Sequence, residues 1–362
     1  MIRHLLVIVI SYFFINCESK REINIDLSNK TVIPKTYVVN KTSNTITIDG
    51  KDNEIDWINT SYSEYFIDIE GVKSPLQKTR IKMLWDKKYL YIFAKLEEQH
   101  IWADITKKDA VIFKNNDFEV FISPSNDTHN YGEIEINALG TVWDLLLNKP
   151  YKLGGKAKNE WDLKYLKTGI YVEGTLNNPN DLDKFWSVEL AIPLQPFIQL
   201  KNTPKEIPVN NEQWRINFSR VNWDFELINK KYSRKKQDGK LLPEYNWVWS
   251  NQGVIDMHVP ENWGYIQFST NNSNSKTKFT HQTDYLTEQV IHALFREISF
   301  KNFKKLKETK IGTEVNINAL HSPKKTVKVN FLKTYTGFNL KTNNINGVVY
   351  SISENGLLNR LK

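Results

Sequence analysis

Cys17 is the only cysteine among the 362 residues, so the chain cannot form an internal disulfide. Helical periodicity is also absent before about residue 283, and no internal repeat is present. Hydrophobic residues make up 40% of the chain and charged residues 25%, close to the globular average, which argues against wholesale disorder. The length allows one large or two ordinary domains with an ample core.

Motifs for several function classes are missing as well. The chain has no nucleic-acid motif, nucleophile motif, phosphate loop or catalytic metal pattern. Its formal net charge of +8 is concentrated in "NKKYSRKKQDGK" and "FREISFKNFKKLKETK". These segments predict a loop and the polar side of a helix, so we interpret the basic residues as solvated surface and exclude nucleic acid as a partner.

The one long apolar run stands at the start of the chain. It extends from Leu5 to Ile15 behind two basic residues, too short to span a bilayer and typical of a signal sequence. Cys17 follows two residues after the run and resembles the lipidation cysteine of bacterial lipoproteins. The alternative is an ordinary cleaved signal peptide with an incidental cysteine. We therefore expect an exported protein, either a lipoprotein anchored at the outer membrane or cell surface, or a periplasmic or secreted one, with a signal peptide over 1–17 and a polar tether over 18–44.

Short alternating runs dominate the chain from Ile46 onward, and "LWDKKYLYI" predicts a β-hairpin. At least eight strands at this spacing predict a mainly β fold, a β-sandwich of immunoglobulin-like or jelly-roll-like type over 45–269. A linker over 270–282 and a small α+β unit over 283–362 follow. In that unit four apolar residues recur at helical spacing, from Leu286 to Ile298, and Thr283 or Thr287 is a candidate cap.

The stretch "NNDFEVFISPSNDTHNYGEIEIN" carries acidic and amide side chains where strands usually disfavour them. Alternation places Asp117 and Glu119 on one face of the first strand, and Glu133, Glu135 and Asn137 on one face of the second. Such a face is either solvent-exposed or the lining of a groove.

The motif series resembles the carbohydrate-binding module family 9-like proteins, in particular their exported Bacteroidetes-type group. The similar blocks include "ITIDGKDNEIDW", "LWDKKYLYIFAKLEE", "WSVELAIP", "WRINFSRVNW" and "WGYIQF", in order, over about Thr45 to Phe268. The resemblance implies a β-sandwich that clamps a sugar between two aromatic faces, with a strand carboxylate and amides on its hydroxyls. It implies oligosaccharide or polysaccharide as the ligand.

Carried over to this sequence, the resemblance puts the first clamp aromatic on Phe113 and the strand glutamate on Glu119. The polar position beside it falls near Glu135, where sugar-binding members carry arginine. The second clamp is a tryptophan in the loop before "WGYIQF", but that loop has Met257 or His258 at roughly this place, and Trp249 is the nearest tryptophan upstream.

The chemistry of sugar recognition adds further candidates, since sugars need aromatic faces and charged or amide hydrogen-bonding groups. Asn137 shares the acidic face and Trp143 follows it. Trp247 and Trp249 alternate around Val248, so their rings point to one side of a strand that leads into a loop. Four other tryptophans lie inside strand patterns and are predicted to be core: Trp85, Trp186, Trp214 and Trp263.

Three alternatives stay open at the level of sequence. Glu119 and Glu135 could act as the acid and base of a glycoside hydrolase. Haem could bind through methionine and histidine, for which Met83 and the Met257–His258 pair are available, or the sandwich could be a scaffold for protein partners. Structural Ca²⁺ is possible in two Asp/Asn-rich loops, 123–130 and 177–184.

Overall fold

A computed structural model describes residues 21–125, 127–321 and 325–361 of the chain. Three α-helices and 23 strands are found within these ranges. The α-helices are α1 (Ile55–Asn59), α2 (Leu194–Ile198) and α3 (Tyr285–Phe300). The strands are β1 (Arg21–Asp26), β2 (Thr36–Lys41), β3 (Ile67–Asp68), β4 (Thr79–Trp85), β5 (Tyr89–Glu97), β6 (Asp117–Ser123), β7 (Tyr131–Asn137), β8 (Val142–Leu147), β9 (Ala157–Lys158), β10 (Lys167–Glu173), β11 (Phe185–Pro193), β12 (Gln213–Asn222), β13 (Phe225–Ile228), β14 (Lys231–Arg234), β15 (Lys236–Gln237), β16 (Lys240–Leu241), β17 (Tyr245–Val248), β18 (Gly264–Asn272), β19 (Glu314–His321), β20 (Lys325–Lys333), β21 (Phe338–Asn343), β22 (Val349–Ser353) and β23 (Leu358–Leu361).

The larger part of the molecule is a β-sandwich, as predicted. Its strands follow the order β10-β11-β5-β4-β2-β18-β12-β6-β7-β8-β9, with β17 paired to β12 and β3 to β17. Alternate side chains of both halves meet in one core, for example Ile92 and Val188 from one half and Val120 and Phe218 from the other. The predicted hairpin is present between β4 and β5, where Asp86 Oδ1 accepts hydrogen bonds from two backbone N–H groups of the turn.

The predicted polar tether over 18–44 is wrong in the part that the structure describes. Strand β1 pairs in parallel with β19, and β2 lies between β4 and β18, pairing in parallel with both. Ile25 and Val39 are 3% and 0% exposed. Average polarity concealed a period-two pattern of apolar residues. That pattern lets β1 pair at the edge of the C-terminal sheet and β2 pair between β4 and β18.

The C-terminal unit consists of α3 packed on a six-stranded sheet, in the order β1-β19-β20-β21-β22-β23. Asp284 caps the helix, because its side chain accepts a hydrogen bond from the Thr287 backbone N–H at 3.1 Å, so the predicted threonine caps are wrong. The unit contacts the sandwich through ion pairs on α3. Glu288 pairs with Arg215 of β12, and Arg296 Nε lies 2.7 Å from Glu261 Oε1.

The predicted signal peptide and the lipidation residue Cys17 lie outside the described residues. Within the described ranges, no helix is both long enough and apolar enough to cross a membrane.

Candidate functional site

The acidic face predicted from alternation is formed by β6 and β7, which pair in antiparallel register. Glu119 lies directly opposite Glu135, Asp117 opposite Asn137, and Phe121 opposite Glu133. On the far side of β7, Trp143 of β8 lies opposite Glu135. Directly opposed side chains have Cβ atoms only about 4.5–5.5 Å apart, so the register itself brings the carboxylates together.

This face opens into a cavity of about 240 Å³. We call it the acidic cavity. The residues that line it are Ile69, Phe113, Glu119, Phe121, Glu133, Glu135, Trp143, Tyr151, Val221, Glu244, Asn246, Ile255, Asp256, Met257 and His258. Its floor is the sheet, and its walls are the loops before β6, after β8 and before β18.

Besides the buried Phe121, three aromatic rings border the acidic cavity. Phe113 lies on the 3₁₀ turn Ile112–Lys114, is 37% exposed, and its backbone N–H donates to Glu135 Oε2 at 2.9 Å. Trp143 is 9% exposed, and its Nε1 donates to Asn159 Oδ1 at 3.2 Å. Tyr151 is 41% exposed and packs edge-to-face on His258 with ring centroids 4.6 Å apart. Partly exposed rings around polar groups suit a ligand with apolar faces and a polar rim.

Burial dominates the electrostatics of the floor. It raises the pKa of Glu119 to about 7, with the Glu244 carboxylate adding to the rise. It also raises the pKa values of Asp117, Glu133 and Glu135 well above the usual range, with the Glu119 carboxylate adding in each case. Desolvation and like charges both disfavour the ionised form, and here they act together.

Two buried oxygens of the acidic face have no hydrogen-bond partner among the described residues: Asp117 Oδ2 and Glu133 Oε2. Asp117 Oδ1 accepts from the Val221 backbone N–H at 3.2 Å, so only half of this carboxylate is satisfied. One carboxylate oxygen from each of Asp117, Glu119 and Glu135 lies within 4.8 Å of the others. This donor set is compatible with a metal ion that prefers oxygen.

The loops predicted as calcium candidates use their oxygens differently. Asp127 Oδ1 and Oδ2 accept from the His129 backbone and the Asn202 side chain. Asp183 Oδ1 and Oδ2 accept from the backbone N–H groups of Thr175 and Ile101. These carboxylates hold turns together, although Asp181 Oδ1 of the second loop is buried without a partner among the described residues. Within the described ranges, three carboxylates come within reach of one ion only at the acidic face.

Five of the eight residues predicted for ligand binding line the acidic cavity: Phe113, Glu119, Glu135, Trp143 and His258. The Nδ1 atom of His258 lies 2.8 Å from the Tyr131 hydroxyl, and burial lowers the pKa of this histidine to about 4. Met257 lines the cavity as well, whereas Met83 is 0% exposed in the sandwich core.

The other three predicted residues do not reach the acidic cavity. Asn137 is fully buried, donates to the Ile105 carbonyl, and accepts from the backbone N–H groups of Leu139 and Thr141. Trp247 and Trp249 belong to the sandwich core. The structure does not bring them to the acidic face, since Trp247 lines a separate cavity of about 380 Å³ and Trp249 one of about 570 Å³. The four tryptophans predicted as core are all buried.

The residues missed at the level of sequence are Tyr151, Glu133, Asp117, Glu244 and Asp256. Alternation places Glu133 and Asp117 on the acidic face, so a signal for these two is present in the sequence. No local pattern marks the other three, which come from loops that only the folded chain brings to the sheet.

Two other cavities contain the core tryptophans in their walls. One, of about 570 Å³, lies between β2 and the segment 273–279 and includes Trp249. The other, of about 380 Å³, is bordered by Trp223, Tyr245 and Trp247. Each contains only one of the eight predicted residues, so size alone does not identify the site.

Comparison with known proteins gives one family match. Residues 48–219 match the family described as carbohydrate family 9 binding domain-like, a segment that contains β6, β7 and β8. Curated protein sequences give no significant match.

Three solved structures are similar to the chain. A candidate carbohydrate-binding protein of Bacteroides uniformis ATCC 8492 is 16% identical, with a TM-score of 0.48, over 65% of this chain and 99% of that one. A carbohydrate binding module family 9 from Caldicellulosiruptor kristjanssonii, in complex with cellotriose, is 13% identical, with a TM-score of 0.42, over 68% of this chain and 100% of that one. The same module in complex with glucose is also 13% identical, with a TM-score of 0.42, over 67% of this chain and 100% of that one.

Proposed function

We propose that this protein binds an oligosaccharide or polysaccharide in the acidic cavity, without catalysing a reaction on it, since residues 48–219 match the family described as carbohydrate family 9 binding domain-like. The observation that carries the proposal is that independently predicted residues meet in one cavity. Five residues that the sequence pattern and the family resemblance assign to sugar binding line one cavity, and its floor lies within the segment that matches the family.

The chemistry of the acidic cavity supports a sugar ligand. A sugar ring presents C–H bonds on its faces and hydroxyl groups around its edge. Phe113, Trp143 and Tyr151 provide ring surface, and the floor provides carboxylate oxygens. An ionised carboxylate that accepts from a hydroxyl makes a charge-assisted hydrogen bond, worth about 1.5–3 kcal/mol.

Affinity electrophoresis and calorimetry across a panel of polysaccharides and oligosaccharides test the proposal. We expect Trp143→Ala and Glu119→Gln each to weaken binding at least about tenfold, since each removes a contact worth roughly 1.4 kcal/mol or more. Tyr335→Ala is the matched aromatic control, because Tyr335 is 87% exposed and outside the cavity.

Retained affinity in both cavity variants would overturn this assignment of the site. Loss of binding in Trp223→Ala instead would move the ligand to the 380 Å³ cavity. A correctly folded protein that binds no glycan on the panel would favour a scaffold for protein partners.

For the cellular role, we propose export and lipid anchoring through Cys17, with the sandwich holding glycans near the cell surface for degradation by other proteins. The apolar run ahead of the cysteine supports this. Metabolic labelling with a radioactive fatty acid should mark the wild-type protein and not Cys17→Ser. Equal labelling of both proteins would exclude this residue as the anchor.

Glycoside hydrolysis is the second candidate, because Glu119 and Glu135 are opposed and share raised pKa values. Their carboxylate oxygens approach within 4.8 Å, whereas the carboxyl groups of glycosidases are about 5–9.5 Å apart. This separation is at the short limit for that chemistry, which favours binding alone. Release of reducing sugar by the wild-type protein, abolished in Glu119→Gln, would establish the enzyme.

A further inference from the structure

We propose that the acidic face of β6 and β7, at the base of the acidic cavity, binds a divalent cation, with Asp117, Glu119 and Glu135 as its ligands and Ca²⁺ as the ion that fits best. The geometry is set by the sheet. Asp117 and Glu119 are two residues apart on β6, and Glu135 is directly opposite Glu119 on β7. One oxygen of each lies within 4.8 Å of the others, so a single ion between them can reach all three.

Unpartnered buried oxygens point to this ion independently of the clustering. Asp117 is 0% exposed, and its Oδ2 accepts no hydrogen bond from the described residues. Glu133 is 4% exposed, and its Oε2 also has no partner within the described part of the chain. Buried polar oxygens are almost always satisfied, so the orphan Oδ2 of Asp117, a member of the group of three, calls for a further partner. Glu133 lies outside that group.

The charge of the floor leads to the same conclusion. Within residues 21–125, 127–321 and 325–361, no ion pair involves Asp117, Glu119, Glu133 or Glu135. Lys152 follows the rim residue Tyr151, but its Nζ pairs at 2.8 Å with Asp256 rather than with the floor. Buried carboxylates are normally paired with a cation, coordinated to a metal or held neutral by a raised pKa, and a bound cation would favour the ionised form of this group.

The donor set selects the class of ion. The three ligands offer only oxygen, which suits Ca²⁺, Mg²⁺ and similar hard cations and does not suit metals that prefer nitrogen or sulfur. Ca²⁺ accepts carboxylates in mono- or bidentate mode at flexible angles, whereas Mg²⁺ demands near-ideal octahedral geometry. Three side chains held at fixed positions on a pleated sheet suit the flexible geometry of Ca²⁺ better than the strict octahedron of Mg²⁺.

A role of the ion in carbohydrate binding rests on the proposed function, whereas binding of the ion itself does not. Glu119 and Glu135 line the acidic cavity, so an ion between them would face the space assigned to the sugar. Ca²⁺ takes six to eight oxygen ligands, which leaves coordination positions for a pair of sugar hydroxyls. The ion would then supply the positive charge that this face does not obtain from a side chain.

The experiment measures ion binding without any carbohydrate. Purified protein is treated with EDTA, exchanged into metal-free buffer at about pH 8, and titrated with CaCl₂ and, separately, MgCl₂ by calorimetry, with thermal unfolding in parallel. We expect saturable binding of one Ca²⁺ per chain, weaker binding of Mg²⁺, and a Tm that rises with Ca²⁺.

Two variants and a control separate a ligand from a merely structural residue. Glu135→Gln should not lower the Tm in EDTA, because the amide oxygen can still accept from the Phe113 backbone N–H and the change removes an acid group from beside Glu119, and it should weaken Ca²⁺ binding more than about tenfold, since even outer-shell partners are worth that much. Glu119→Gln should behave in the same way. The exposed Glu206→Gln should match the wild type in both measurements. A purely structural glutamate would lower the Tm with and without Ca²⁺.

Absence of saturable binding of either ion would overturn the proposal, as would Ca²⁺ binding that survives in Glu135→Gln but is lost in Asp181→Asn of the 177–184 loop. Carbohydrate affinity is then measured with and without Ca²⁺. Ca²⁺ binding without any glycan binding would contradict the proposed function and leave the ion site intact. Glycan binding in EDTA at full affinity would overturn the bridging role.

Discussion

At the scale of single residues, side chains of the acidic face have two different roles, lining the acidic cavity or stabilising a turn. Glu119 and Glu135 face the acidic cavity, whereas Asn137, on the same face, is enclosed by the turn between β7 and β8. Its amide joins the Ile105 carbonyl to the Leu139 and Thr141 backbone N–H groups. A strand pattern reports the side of the sheet and does not report what covers that side.

The first prediction concerns Asn137. Replacing it with alanine leaves buried backbone groups unsatisfied, so we expect Asn137→Ala to lower the free energy of unfolding by about 1–3 kcal/mol, measured by urea denaturation. The exposed Asn53→Ala should change it by less than about 0.5 kcal/mol. Unchanged stability together with lost carbohydrate binding would return Asn137 to the ligand site.

At the scale of elements, the N-terminal segment joins the two parts of the molecule. β1 completes the C-terminal sheet beside β19, and β2 connects the two halves of the sandwich. The strands are separated by nine residues, 27–35, so a short piece of chain belongs to both cores.

The second prediction tests the role of β1. Ile25 is 3% exposed in the core beneath α3, and Ile25→Ala should lower the free energy of unfolding by about 2–5 kcal/mol through lost burial and a cavity. Ile33→Ala is the control, since Ile33 is 82% exposed. Limited proteolysis should cut the C-terminal unit sooner in the first variant. Equal resistance in both variants would show that β1 contributes little to this unit.

At the scale of the whole molecule, α3 is held against the sandwich by charges that are largely buried. Glu288, fully buried, pairs with Arg215 and with Arg360 of β23. His292, on the same helix, is 3% exposed and faces Glu261, Arg296, Arg215 and His129. The C-terminal unit is therefore docked on the sandwich by buried ion pairs, and its own core joins α3 to the six-stranded sheet.

The third prediction is a pH dependence of this docking. Burial lowers the pKa of His292 from its usual 6.5 to about 4, although Glu261 acts in the opposite direction. A histidine with a depressed pKa in the folded state contributes stability above its unfolded pKa and loses it as pH falls. Stability should therefore decline from about pH 6.5 toward about pH 4 by an amount on the order of 2–3 kcal/mol from this group.

Thermal unfolding of the wild-type protein and of His292→Gln, measured at steps between about pH 7 and pH 4, tests this prediction. Carboxylates titrate in the same range, so the quantity of interest is the difference between the two curves. We expect the variant to lose less stability on acidification. Parallel curves would show that His292 does not resist protonation in the folded protein.

Much of the architecture is predictable because its signals are local. Period-two alternation identifies the strands, and alternation alone places the carboxylates of β6 and β7 on one face. Helical spacing identifies α3, although the cap is Asp284. The same period-two alternation exists in β1 and β2, but the many polar residues of the segment 18–44 outweigh it. These two strands could therefore have been predicted from the sequence.

The sequence by itself determined the mainly β fold and the acidic face of β6 and β7, and with the family resemblance it predicted five of the side chains that line the acidic cavity. Only the tertiary structure decided that Asn137 is enclosed, that Trp247 and Trp249 pack in the core, and that Tyr151 borders the cavity. The physical reason is that the first set depends on local interactions along the chain and the second on contacts between distant segments. Which side of a strand a residue takes follows from its immediate neighbours, whereas what covers that side is set by loops and strands distant in the chain.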